Sequence, residues 1–142
     1  MKRFLVAVAV LGVWSGLASA QTTPEAQEAI QQGAIIYSTV CVACHQATGQ
    51  GIEGAFPALA GNEFVLGDPA EVVKLPLHGR GGMPNFGGEL SDEEIAAVVS
   101  YIRNSWGNEA SVVEPELVTQ VRSGEVEEEA PADPNARPGA AN

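Results

Sequence analysis

Two stretches of the chain carry apolar residues at mixed three- and four-residue steps, and the remainder is punctuated by glycine and proline. In the first, Ala26, Ala29, Ile30, Ile36, Tyr37 and Val40 recur at helical spacing, which predicts an amphipathic helix from Glu25 to about Val40. Thr23 supplies a cap, and Pro24 suits the first helical position because its missing N–H has no partner there anyway. An interior glycine costs about 1 kcal/mol relative to alanine, so Gly33 predicts a close packing contact. In the second stretch, Ser91 caps a helix and Glu94 completes the reciprocal capping box. Ile95, Val98, Val99, Ile102 and Trp106 then share one face, and Gly107 is the stop. Between the two, Gly49, Gly51, Gly54, Pro57 and Gly61 make residues 46–68 a loop. Asp68-Pro69 opens a short helix over Ala70–Leu75 with Pro76 as its limit, and Gly79, Gly81 and Gly82 open a second loop that carries Met83-Pro84 and ends at Gly87-Gly88. A last short helix, 115–122, follows Pro115. Sustained alternation with period two is missing, so the expected class is all-α, with three to four helices.

The ends of the chain change this picture. Lys2 and Arg3 precede the apolar run Phe4–Leu17, and Ala18-Ser19-Ala20 forms a small-residue cleavage site. Residues 1–20 are read as a secretory signal peptide that is removed, with a retained anchor as the alternative; the run is short of the roughly 20 apolar residues a span needs. The protein is therefore expected in the periplasm or on the extracytoplasmic face of a bacterial inner membrane. Of the 142 residues, 21–108 form the expected folded domain, with its core at 29–108. Residues 109–142 hold eight acids and two bases, and from Ser123 acids, Ala, Pro and Gly dominate, a composition that predicts a mostly disordered tail.

Charge narrows the function classes. Eighteen acids against seven bases give −11, and loss of Lys2 and Arg3 would make it −13. Nucleic-acid binding needs a basic face and is excluded on this ground. The excess of acids favours a partner with a basic docking surface, or else serves solubility around a small apolar contact patch.

Chemistry concentrates in Cys41-Val42-Ala43-Cys44-His45. The CxxCH spacing is the attachment signature of c-type haem: two thiols one helical turn apart add to the two vinyl groups on one porphyrin edge, and the adjacent imidazole lies under the iron. Three other readings compete. A thioredoxin-like dithiol requires a βαβ setting that the pattern does not show. A zinc site would draw on Cys41, Cys44, His45 and His78 without the usual paired spacing. A structural disulfide suits an exported protein. For the second iron ligand, Met83 is the one methionine downstream of the leader, and it sits in Gly81-Gly82-Met83-Pro84, where glycines let a loop approach a flat macrocycle. A lone methionine elsewhere would be core filler. His78 is the rival, giving bis-histidine ligation, or is a loop histidine.

With these residues in place, the sequence resembles a monohaem class I cytochrome c over about Ala29–Asn108. The resemblance rests on Gly33 and Tyr37 before Cys41–His45, on Pro57-Ala58-Leu59-Ala60-Gly61, on Met83-Pro84, and on a final helix with Tyr101 and Trp106. Within that class it is similar to small bacterial cytochromes that feed electrons to haem–copper terminal oxidases. The resemblance implies the cytochrome c fold around one covalently bound haem c per chain. It implies close crossing of the terminal helices at Gly33, with Tyr37 and Tyr101 in the contact. Pro57 would offer its carbonyl to the Nδ1 of His45, and Leu59 would pack on the haem. Arg80 would face a haem propionate or remain a solvated charge. The chain departs from the basic mitochondrial pattern: it has no lysine ring, and its acidic tail has no counterpart in the minimal bacterial domain.

The implied function is one-electron transfer without catalysis. A haem closed by His45 and Met83 leaves no open coordination position, and an axial methionine raises the reduction potential. The expected partners are redox proteins, a terminal oxidase or a quinol-oxidising complex, met by a soluble monomer. The alternatives are a cytochrome subunit bound tightly in a dehydrogenase or oxidase complex and, more remotely, an open-iron enzyme or gas sensor.

Overall fold

The computed structural model describes residues 23–126; the signal-peptide reading and the tail beyond 126 lie outside the described residues. Thr23 accepts a bond from the Ala26 N–H at 3.3 Å and starts α1 (Pro24–Ile36). The helical path does not end near Val40. It widens into a π turn, Tyr37–Cys41, and continues as α2 (Val42–His45), so the whole CxxCH string is helical. The Val42 N–H reaches back five residues to the Tyr37 carbonyl. Two adjacent hydroxyls account for the widening: Ser38 donates to the Ile35 carbonyl at 2.7 Å, and Thr39 to the carbonyls of Ile35 and Ile36 at 3.2 and 3.0 Å. Such bonds compete with the backbone ladder and loosen it.

The 46–68 segment is not all loop. Asn62 accepts from the N–H groups of Phe64 and Val65 and caps a single turn, α3 (Glu63–Leu66). In α4 (Pro69–His78), capped by Asp68, Pro76 is inside the helix rather than its end. Pro76 lacks an N–H to continue the ladder, and burial of Val73, Pro76 and Leu77 holds the last turn in place. The capping box of Ser91 and Glu94 is formed at α5 (Asp92–Arg103), and α6 (Pro115–Ser123) follows Pro115 and ends at Gly124 in the left-handed region. Strands are missing among the described residues, which hold two isolated bridges, Ile52 with Phe56 and Arg80 with Met83. The fold is all-α.

The core forms where α1 crosses α5. A Cβ on Gly33 would lie 2.6 Å from the carbonyl carbon of Ala97 and 2.8 Å from the Cβ of Tyr101, so only glycine permits this approach. Beside the crossing, the rings of Tyr37, Tyr101 and Trp106 pack in a triangle with centroids 5.0–5.5 Å apart. The folded unit does not stop at residue 108. Val113, Val118 and Val121 are buried in the same core as Val98 and Val99. Ser100 of α5 donates to the Val113 carbonyl and accepts from its N–H. The sequence places 109–126 in the tail because its charge masks three valines that serve as an apolar face.

Arg103 is buried, and its guanidinium donates to the carbonyls of Val65, Gly67 and Ser111 and to the Ser111 hydroxyl. Burial holds its pKa below the ordinary arginine value, with Asp68 acting in the opposite sense. One side chain thus ties α3 and the segment after α5 to the core.

Candidate functional site

The turn after α2 is built to present His45. Gln46 adopts φ 63° and stops the helix, and its carbonyl accepts the Tyr37 hydroxyl at 2.7 Å. Burial, aided by the nearby Cys41 and Tyr101, pushes the Tyr37 hydroxyl up to about 12. The chain then folds back, so that the Pro57 carbonyl lies 3.0 Å from Nδ1 of His45. A carbonyl only accepts, so it fixes the imidazole proton on Nδ1 and leaves the Nε2 lone pair free to bind a metal. Gly51 makes the fold-back possible: at φ 64°, its missing Cβ would sit 2.6 Å from the Pro57 carbonyl oxygen. Trp106 closes the same turn by donating to the Ala47 carbonyl at 3.0 Å.

Cys41, Cys44, His45, Pro57, Leu59 and Met83 all line one cavity of about 260 Å³. Its walls are apolar: Val40 beside the cysteines, Phe64 and Val65 from α3, Val72 and Leu75 from α4, Phe86 and Leu90 from the loop, and Val98, Val99 and Ile102 from α5. Arg80 is the one permanently charged residue in the lining, and its guanidinium lies 5.3 Å from the centroid of the Phe64 ring. His78 is exposed at the end of α4 and does not line the cavity. Both cysteines are free, and burial, with Cys44 adding to it, pushes the Cys41 thiol up to about 11.

These features test the competing chemistries. The four candidate zinc ligands are not assembled, since the described residues hold no cluster of three or more His, Cys, Asp or Glu able to bind a metal. The two thiols are not joined in a disulfide. Two thiols and an oriented imidazole, a methionine on the 79–90 loop, and apolar walls around one cavity fit a covalently held haem.

The walls depend on residues that local sequence does not reveal. Asn108 is buried after α5; it donates to the carbonyls of Leu59 and Ile102 and accepts from the Gly61 N–H at 2.8 Å. It thereby pins the Leu59 wall to the end of α5. Two of its three partners lie 47 and 49 positions away in the sequence, and its only local signal is its place after a helix-stop glycine.

Comparison with known proteins places the chain in a family. Residues 28–102 match the family described as cytochrome c oxidase, cbb3-type, subunit III. Cytochrome c-552 of Thermus thermophilus is 38% identical over 128 residues, an alignment covering 79% of this chain and 77% of that protein. The cytochrome c subunit of a quinone alcohol dehydrogenase from Gluconobacter oxydans is 37% identical over 90 residues, covering 55% of this chain. The fructose dehydrogenase cytochrome subunit of Gluconobacter japonicus is 34% identical over 107 residues. The chain spans about a fifth of the length of these two subunits, 19% and 22%. The chain belongs to the cytochrome c family, whose members carry covalently bound haem c, and is a small all-α electron carrier rather than an enzyme.

Proposed function

We propose that this chain is an exported, soluble carrier of single electrons that serves a haem–copper terminal oxidase. In this reading it holds one haem c, bound through Cys41 and Cys44, with His45 and Met83 as the two axial ligands. The observation that carries it is the convergence of both thiols, the oriented His45 ring and the Met83 loop on one apolar cavity. Haem bound here supplies one reversible electron equivalent through its iron. The chain's own residues do the rest. Pro57 holds the His45 ring in one orientation and keeps its Nε2 basic. The apolar side chains of α3, α4 and α5 exclude water, which favours the less charged, reduced form. Met83, from the loop that lines the cavity, would supply the second iron ligand and so leave no site for a substrate. Among the described residues no helix is long and apolar enough to cross a membrane.

The test is the visible spectrum of the mature protein, oxidised and reduced, alongside Met83→Ala. The parent should show sharp reduced α and β bands and the weak long-wavelength ferric band of a Met–iron bond. Met83→Ala should keep its haem after denaturation, lose that ferric band and bind added ligands. A variant indistinguishable from the parent would move the ligand elsewhere, to His78 first. The dehydrogenase relatives favour a second reading, a subunit held in a larger complex. Recovery from host membranes as a stable assembly with a dehydrogenase would select it over the free carrier.

A further inference from the structure

The loop that presents Met83, residues 79–90, is held at both ends. At its start, Met83 donates to the Arg80 carbonyl at 3.0 Å and Arg80 donates back to the Met83 carbonyl at 3.3 Å. At its exit, the Phe86 N–H bonds to the Pro76 carbonyl of α4 at 2.9 Å, and the N–H groups of Glu89 and Leu90 return to Phe86. The segment from Gly87 to Asp92 is then gripped from outside by one residue of α6. Arg122 donates to the Gly87 carbonyl at 2.5 Å, to the Leu90 carbonyl at 3.3 Å and to the Asp92 carboxylate at 2.7 Å. Thr119, one turn earlier on α6, donates to the other oxygen of the same carboxylate at 2.6 Å. Leu90 and Phe86 themselves line the cavity.

We propose that Arg122 is a positioning residue for Met83: its grip on residues 87–92 keeps the 79–90 loop closed, so that α6 sets how often the sixth position opens. The inference rests on the reading of Met83 as the axial ligand. Three acceptors on one guanidinium make the grip specific to arginine, whose fork meets several acceptors at once where a lysine meets one. Charge-assisted bonds are the strong ones in such a set. The side chain is 37% exposed, which places the effect at the low end of the range for charged hydrogen bonds, about tenfold in the opening equilibrium.

The experiment uses the full haem-loaded chain and follows imidazole binding to the ferric form, together with amide exchange at Met83 and Phe86. Arg122→Gln should raise the binding rate about tenfold and speed exchange at both amides by a similar factor. Arg122→Lys should recover only part of the difference. Thr23→Ala, which removes the N-cap of α1 and weakens the molecule away from the cavity, should change the rate by less than about twofold. If Arg122→Gln does not accumulate, Thr119→Val makes the same comparison with about a threefold effect, since it removes only the hydroxyl that supports Asp92. Rates unchanged in Arg122→Gln, with Met83→Ala fast, would overturn the grip while sparing the ligand. A rise in Thr23→Ala as large as that in Arg122→Gln would reduce the effect to general stability and also overturn it. Parent-like binding by Met83→Ala would instead remove Met83 as the ligand.

Discussion

Replacing Gly33 by alanine tests the helix crossing on which the site is built. Two opposing effects set its sign. Alanine is the better helix former by about 1 kcal/mol, and it narrows the unfolded ensemble by about 0.4–1 kcal/mol. If Gly33 faced open space, the substitution would therefore stabilise the protein. In the structure the added Cβ lies 2.6 Å from the Ala97 carbonyl carbon and 2.8 Å from the Tyr101 Cβ. Carbon atoms pack at about 3.5–4.0 Å, so α1 has to retreat from α5 by about 1 Å. The obstacle is α5 backbone, which has no rotamer to change. A gap of that size forfeits a quarter to a half of each contact's attraction along the interface, and overpacking itself costs about 1–3 kcal/mol. The clash exceeds the propensity gain, and a net loss of about 2–3 kcal/mol follows, a large share of the roughly 5–15 kcal/mol of a typical domain. The assay is urea denaturation of the haem-loaded protein followed by far-ultraviolet circular dichroism. Gly88→Ala serves as the control, since a Cβ there meets nothing within 4 Å, and it should stay within about 0.5 kcal/mol of the parent. A Gly33→Ala variant as stable as the parent, or more so, would refute the close approach.

Asn108→Ala removes three part-buried hydrogen bonds; the Ile102 carbonyl and the Gly61 N–H lose this partner, while the Leu59 carbonyl keeps only the long bond from the Asn62 N–H at 3.4 Å. Denaturant titration should show a loss of about 2–4 kcal/mol, and a loss under 1 kcal/mol would mean the Leu59 wall is held by other means. Asp92 governs part of the acid response. Hydrogen bonds from Thr119 and then Arg122, with the charge of Arg122, hold its pKa below the ordinary 3.8. A depressed carboxylate contributes stability that is full above its unfolded pKa and is lost as pH falls through the folded value. Asp92→Asn should therefore flatten the stability curve below about pH 4, and urea midpoints that fall in parallel with the parent would contradict the assignment.

Much of this architecture is written locally. Ser91 and Glu94 are three apart, and a capping box needs nothing further; the α5 face follows from residue spacing alone. The CxxCH string is equally local, since its chemistry depends on one helical turn. What escaped the pattern has distant or weak causes. The π turn follows from the paired hydroxyls Ser38 and Thr39, which look like ordinary surface residues in an amphipathic helix. The α3 turn is too short for any periodicity. Pro76 reads as a breaker by its own chemistry, and only the tertiary burial around it shows that the helix goes on. Arg103, Asn108 and Arg122 shape the site through partners 30 to 49 positions away, and nothing in their neighbourhoods announces it.

The α1–α5 crossing also bears on the order in which the molecule assembles. Gly33 and Ala97 are 64 positions apart, so their contact closes a long loop, and loop-closure entropy must be met before that packing gives anything back. The helical path from Pro24 to His45 has no such requirement, because its bonds join near neighbours. Helical structure carrying both thiols and the imidazole therefore has a kinetic head start over the half of the chain that supplies Met83 and the α5 wall. On the proposed roles of Cys41 and Cys44, a chain at that stage would present both thiols while the opposite wall is still unformed.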